Sequence, residues 1–309
     1  MAPMPSTCAG IVEEVGDSAI SVAPGDHVVL AAAYCGHCKR CRNGQMAYCE
    51  NSMAADFGGR RADAATSLRK KDEVISSRFF GQSSFATYAN VVEESVARVD
   101  KDIPLEHLGP LGCGVNTGAG TVLNELEPGS SLVVFGTGAV GCAAVMAAQV
   151  ADCAIIVAVD IHDSRLELAR ELGATHVINS KTEDVAERLR EITEGAGVDD
   201  VVDTTGIPAL LRQAADALGV RGTVALVGAA KPGTEVAFEV GASLVKGWIF
   251  KTVVQGSSVP RVFIPRLIQL WKAGRFPFEK LVGDYGLEDI NQGFEDSKSG
   301  KTIKPVIIF

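Results

Sequence analysis

Between Ser131 and Ala151 the chain runs twenty-one residues without a charge, and the pattern inside that stretch changes partway. Leu132-Val133-Val134-Phe135 is a short β-type run. Glycines follow at 136, 138 and 141, and an alanine-rich, helix-forming segment comes next. After Asp152 a second β-branched run extends from Ile155 to Val159 and ends on Asp160. Twenty-one uncharged residues are long enough to span a membrane. The glycine spacing and the prompt return of β-branched residues argue instead for strand, turn, helix and strand in a water-soluble unit.

Beyond Asp160 apolar runs of strand length alternate with helix-period segments. Helices are predicted over Asp163–Leu172, with Gly173 as its stop, over Thr182–Thr193, begun by Thr182 and closed near Gly195, and over Pro208–Leu218. Strands are predicted at Thr175–Ile178, Asp199–Asp203 and Gly222–Gly228. Such alternation builds a parallel sheet with helices on both faces. Ligands in such sheets meet the carboxyl ends of the strands, which singles out Asp160, Gly206, Val227 and Gly228. A further helix is expected over Pro260–Lys272 and a strand-like tail over Thr302–Phe309.

Upstream the rhythm is shorter. Gly10–Val15 and His27–Leu30 read as strands around a Pro24-Gly25-Asp26 turn. Asn51–Ser77, with Arg60-Arg61 and Arg69-Lys70-Lys71, reads as a solvated surface loop, and Phe79–Ala89 as a strand pair. Pro104–Leu108 looks like a short helix start.

Composition narrows the class. At 309 residues two domains are expected, and 47% hydrophobic with 22% charged residues is a globular balance. A net charge of −9 argues against nucleic acid as a partner. Met1–Ser6 has no signal-peptide pattern. Four of the eight cysteines are crowded between Cys35 and Cys49, which suggests a metal site in a reducing compartment, with cytoplasmic localisation expected.

Two motifs carry chemistry. Gly136-x-Gly138-x-Val140-Gly141, with an acid nineteen residues past the last glycine, has the order of a dinucleotide-binding βαβ unit. The first glycine permits the turn, the second lets backbone approach a pyrophosphate, and the third lets helix and strand close. Cys35-x2-Cys38-x2-Cys41-x7-Cys49 can close a tetrahedral Zn²⁺ site with no position left for water, hence a structural one. An iron–sulfur cluster is the alternative metal, and four unrelated thiols or two disulfides the alternatives without one. His37 lies inside a shell that four sulfurs already fill.

With these motifs in view, the sequence resembles the zinc-dependent medium-chain alcohol dehydrogenases over nearly its whole length. Pro24-Gly25-Asp26-His27-Val28, the four-cysteine loop, Gly112-Cys113-Gly114…Thr117-Gly118, the glycine fingerprint and Ile290-Asn291-x-Gly293-Phe294 carry the resemblance. Phe79–Ala86 and the stretch from Ser258-Val259-Pro260 to Gly274-Arg275-Phe276-Pro277-Phe278 are similar to the aryl- (benzyl-) alcohol branch. The resemblance implies an α/β fold: a Rossmann doubly wound parallel sheet plus a GroES-like, mainly-β catalytic domain that is incomplete here. The expected division is 1–114 GroES-like, 115–250 Rossmann and 251–309 returning to the first domain. It also implies NAD, zinc, small alcohol or aldehyde substrates, and a homodimer or homotetramer built through the Rossmann sheets. By resemblance Asp160 takes the adenosine ribose hydroxyls, Arg165 lies beside that ribose, Lys304 holds the pyrophosphate, and Thr117 lies near the nicotinamide.

The pattern departs from the family at the catalytic metal. Of the Cys, Gly-His-Glu and Gly-Cys-Gly ligands the family uses, Cys113 alone is matched, and Pro5, Ser6 and Thr7 stand where Gly, His and Glu belong. Cys8 is off register and reads as an ordinary buried thiol. His27 and His107 have no ligand spacing, and Cys142 and Cys153 read as core residues of a helix and a strand. The abrupt change at Pro5–Thr7 favours a truncated product over a protein that has abandoned alcohol oxidation. Three functions stay open: an NAD-dependent alcohol dehydrogenase acting on aryl alcohols, a silent NAD-binding protein with one structural zinc, and a zinc-independent reductase.

Overall fold

The computed structural model describes residues 8–60, 68–75, 78–82 and 84–309. Pro5, Ser6, Thr7, Arg61 and Ser83 lie outside the described residues. The chain divides into two compact units.

The second unit comprises Thr117–Gly256 and Gly274–Pro277. Its sheet has six strands: β1 (Leu132–Phe135), β2 (Ile156–Asp160), β3 (His176–Asn179), β4 (Val198–Asp203), β5 (Leu218–Leu226) and β6 (Ile249–Thr252). Their spatial order is β3-β2-β1-β4-β5-β6, and every pair is parallel. This is the doubly wound Rossmann arrangement, in which the order of strand addition reverses between β1 and β4 and opens a crevice at the carboxyl ends. β1 and β2 are buried at every residue, as expected for central parallel strands covered on both faces. The crossover helices are α1 (Ala139–Val150), α2 (Asp163–Glu171), α3 (Val185–Ile192) and α4 (Pro208–Ala217), with α5 (Val240–Lys246) before the edge strand. The uncharged stretch thus divides into β1, a turn and the twelve-residue α1. No helix among the described residues is long and apolar enough to cross a membrane.

Three element boundaries differ from expectation for local reasons. Helix α3 starts after Asp184, whose carboxylate accepts the Glu187 N–H at 3.0 Å, so this acid and not Thr182 is the cap. Strand β5 starts at Leu218, four residues before Gly222, through a register shift between Leu218 and Thr223. Cys142 is buried in α1, but Cys153 is half-buried in the link between the Ala151-Asp152 turn and β2, outside the strand.

The first unit comprises residues up to Asn116, Ser257–Ala273 and Phe278–Phe309. Strands Ala9–Ile11, His27–Leu30 and Val96–Val99 form an antiparallel sheet, packed around Val28, Leu30 and Val96. The Gly10–Val15 pattern forms a ladder only through Ile11. Helix Pro260–Lys272 lies where expected, and its Arg261 Nε donates to the Val96 carbonyl at 3.1 Å. Lys304–Ile308 pairs in parallel with Val282–Gly286.

Asn51–Ser77 is not wholly loop. It holds helix Ser52–Phe57 and the hairpin Leu68–Lys70 with Glu73–Ile75. Among the described residues, Phe79–Ala89 forms no strand pair, only a Phe79–Gln82 bridge. Two of its aromatic residues go into a ring cluster: Phe79 stacks on Phe80 at 4.8 Å, and Phe57 meets them edge-on at 5.4 and 5.7 Å, while Phe85 meets Phe294 at 6.4 Å.

Candidate active-site elements

At the carboxyl end of β1, Gly136 turns the chain with φ +85° and leads into α1. A Cβ on Gly141 would lie 1.8 Å from the Gly136 carbonyl oxygen, so only glycine lets the first turn of α1 close on the loop. Gly138 is the N-cap and no side chain caps α1, so its first N–H groups face outward with the positive end of the helix dipole. A Cβ built on Gly138 would meet nothing within 4 Å. Val140 sits in that first turn. The arrangement suits a pyrophosphate.

Asp160 ends the neighbouring strand β2 and is 7% exposed. Its Oδ2 accepts the Thr137 N–H at 2.7 Å and the Thr137 hydroxyl at 2.9 Å. Its Oδ1 accepts the Ile161 and His162 N–H groups at 2.7 and 3.0 Å. The Arg165 guanidinium lies 4.0 Å from Oδ2. Burial without such donors would be prohibitive for a carboxylate, and with them a fixed negative centre sits beside the glycine turn.

Across the crevice Asp203 ends β4 with no exposure at all. It accepts Thr205 N–H and hydroxyl at 3.2 and 2.7 Å and the Gly206 N–H at 3.0 Å. Its carbonyl accepts the Val227 and Gly228 N–H groups at 2.9 and 3.1 Å. Gly206 has φ +62°, and a Cβ on Gly228 would lie 2.3 Å from the Gly206 nitrogen. Backbone therefore packs on backbone there. The structure brings Gly136, Gly138, Val140, Gly141, Asp160, Arg165, Gly206, Val227 and Gly228 to one edge of one sheet. Thr117 belongs to the same unit, buried in helix Gly114–Glu125. Thr137 and Asp203 are the members sequence reasoning missed; the signal for Thr137 was its place between two fingerprint glycines.

The first unit holds the sulfur chemistry. The Sγ atoms of Cys35, Cys38, Cys41 and Cys49 all lie within 4.8 Å of one another. Tetrahedral zinc with bonds of about 2.3 Å spaces its sulfurs by about 3.8 Å, so the set fits the metal. Backbone turns aim N–H groups at these sulfurs. Cys35 N–H donates to Cys49 Sγ at 3.3 Å, and Cys38, Cys41 and Asn51 N–H groups donate to Cys35, Cys38 and Cys49 sulfurs at 3.4 Å. Burial alone would raise the Cys35 thiol, but donors from His37, Asn51, Cys38 and Cys49 outweigh it and bring it down to about 6. Cys41, buried among sulfurs, is pushed up to about 12. Four thiolates this close repel one another, and a bound dication removes that repulsion. His37 is exposed, with Nδ1 2.7 Å from the Cys35 carbonyl oxygen.

Cys113 is half-buried after the short helix Gly109–Gly112. Lys304 shares its unit. Burial holds the lysine ammonium below its ordinary value, and the Cys113 sulfur opposes that shift. Cys8 is half-buried, with its Sγ 3.6 Å from Gln82 Oε1, and burial pushes its thiol up to about 11. The four-cysteine set is the only group of three or more His, Cys, Asp and Glu side chains placed to hold a metal among the described residues. A catalytic zinc at Cys113 therefore does not fit the described residues.

A Rossmann sheet with a thiolate zinc loop in its companion unit defines a zinc-binding dehydrogenase. Residues 3–101 match the model of the alcohol dehydrogenase GroES-like domain and residues 139–272 that of the zinc-binding dehydrogenases. The chain is 38% identical over 304 residues to geraniol dehydrogenase of Castellaniella defragrans, covering 97% of this chain and 81% of that protein. Among solved structures, benzyl alcohol dehydrogenase from Acinetobacter calcoaceticus matches at 46% identity and a TM-score of 0.91, over 97% of this chain and 82% of that one. An alcohol dehydrogenase zinc-binding domain protein from Burkholderia ambifaria matches at 52% and 0.93, over 99% and 84%. The chain belongs to the zinc-dependent medium-chain alcohol dehydrogenase family.

Proposed function

We propose that the chain binds NAD(H) at the glycine turn and belongs to the aryl-alcohol side of its family, interconverting primary aromatic alcohols and aldehydes by hydride transfer. The observation that carries the cofactor reading is the uncapped N-terminus of α1 beside the four-donor carboxylate of Asp160. A ribose diol gives hydrogen bonds to such a carboxylate, whereas a 2′-phosphate is repelled by it. In this reading Gly136, Gly138, Val140 and Gly141 cradle the pyrophosphate, and Arg165 lies beside the ribose. Gly206, Val227 and Gly228 line the crevice, Lys304 serves the pyrophosphate, and Thr117 serves the nicotinamide. When bound, NAD supplies the hydride acceptor. The 46% identity to a benzyl alcohol dehydrogenase supports an aromatic substrate.

The four-cysteine loop holds a structural zinc in this proposal, in the reducing conditions of the cytoplasm that keep its thiols available. A second copy of the chain covers the edge strand β6, whose Phe250 is 40% exposed, and the apolar residues Val240, Leu244 and Val245 of α5, about four-fifths exposed, giving a homodimer or homotetramer. A second reading is favoured by a specific observation, the single metal-capable cluster among the described residues. On that reading the chain binds NAD(H) and one zinc without turning over alcohol. NADH binding measured together with benzyl alcohol oxidation separates the two. Binding with turnover supports the enzyme, binding without turnover supports the silent protein, and no NADH binding defeats both.

A further inference from the structure

We propose that Thr137 is a positioning residue for cofactor choice, holding the Asp160 carboxylate in the orientation that accepts ribose hydroxyls and turns away a 2′-phosphate. The inference rests on the dinucleotide reading above. Thr137 lies between the first two fingerprint glycines and has no solvent exposure. Its N–H and its hydroxyl both meet Oδ2 of Asp160, at 2.7 and 2.9 Å. The donors on Oδ1 are main-chain groups of Ile161 and His162, set by the course of the chain after β2. Arg165, at 4.0 Å from Oδ2, acts on the carboxylate as a charge rather than through a close hydrogen bond. The Thr137 hydroxyl is thus a close side-chain donor to the Asp160 carboxylate.

An aspartate carboxylate turns easily about its last torsion, which has a broad, two-fold preference. Two donors on each oxygen block that rotation. A hydroxyl has one hydrogen to give, and a threonine sealed from water has no solvent partner to take it instead. Thr137 is itself anchored, because its carbonyl accepts the Cys142 thiol of α1 at 3.2 Å. One residue thereby ties the ribose-reading carboxylate to the phosphate turn and to the helix behind it. Loss of the hydroxyl leaves Oδ2 with a single N–H and frees the carboxylate to swing. Such a carboxylate reads a diol less well and repels a phosphate less firmly, so the loss falls on NADH more than on NADPH.

The test is fluorescence titration of NADH and NADPH against the wild-type chain, Thr137→Val and Thr137→Ser, with thermal melting of each. Valine keeps the shape without the donor, and serine keeps the donor. The expected result is a five- to twenty-fold weaker NADH affinity in Thr137→Val with NADPH changed less than twofold, and a serine variant within twofold of wild type for both. If Thr137→Val fails to fold, Thr137→Ala is titrated against serine with the same expectation. An unchanged ratio of the two affinities overturns the proposal, even where both affinities fall together, because that is loss of structure alone. If the wild-type chain binds no NADH, the dinucleotide reading itself fails and takes this proposal with it. Wild-type binding with an unchanged ratio in the variant defeats the role of Thr137 only.

Discussion

Buried aspartates at the strand ends of the Rossmann sheet and on the short helix after Cys49 differ in how many donors meet them. Asp160 and Asp203, at the strand ends of the Rossmann sheet, accept four and three hydrogen bonds through their carboxylates. Asp56, on a short helix beside the zinc loop and just 3% exposed, accepts one, from the Ala33 N–H at 2.7 Å. Burial pushes the Asp56 carboxyl up to about 6, with that one N–H opposing it. The difference is one of donor number and not of unit, since Asp296 in the first unit is held below the usual carboxylate range. Its partners are the Lys301 ammonium, the Tyr285 hydroxyl and the Gln292 amide, at 2.8, 2.8 and 2.7 Å. A buried carboxylate surrounded by donors is prepared for a ligand or locks a turn; one with a single donor is a stability cost that its surroundings carry.

The largest expected break is Gly141→Ala. Its Cβ, 1.8 Å from the Gly136 carbonyl, forces α1 off the turn and disturbs the Thr137 donors on Asp160. Urea denaturation should record a loss of about 3 kcal/mol, at the upper end of overpacking effects, with NADH binding abolished. Next comes Asp203→Asn, which turns an amide N–H₂ toward N–H donors that had been satisfied. A loss of about 2–3 kcal/mol is expected by the same measurement.

Asp56→Asn should act in the opposite direction. Its folded pKa of about 6 lies above the ordinary 3.8, so stability is fully present below pH 4 and falls as pH rises through 6. The asparagine variant should therefore gain about 1–3 kcal/mol at pH 7, and that gain should vanish when urea curves are repeated at pH 4. The smallest effect is expected from Tyr285→Phe. It removes one donor of three from Asp296 together with the 2.8 Å contact to Thr302 Oγ1, and should lower stability by about 1 kcal/mol. A loss as large as that of Asp203→Asn would show that donor number is not what sets the scale.

The same contrast explains what was legible beforehand. Strands β1 and β2 announce themselves because strands covered on both faces are apolar along almost their whole length, and Gly141 because nothing larger fits its place. The four cysteines were legible because ligand spacing is a local property. Thr137 was not, because its partner lies twenty-three residues away and meets it only when β2 pairs with β1. Helix Ser52–Phe57 was hidden because its six residues are too few for a helical period, and what docks it, Asp56 on the Ala33 N–H and Phe57 against Phe79 and Phe80, comes from distant sequence. The aromatic content of Phe79–Ala89 pointed to strands, but aromatic rings can satisfy one another without a strand partner.

Zinc content bears most directly on the account, which assigns one metal to the sulfur cluster and leaves Cys113 outside any metal-capable group of described residues. The purified 309-residue chain should carry one zinc, and Cys41→Ser should lose it together with much of its thermal stability. Two zincs per chain, or one retained in Cys41→Ser, would contradict it.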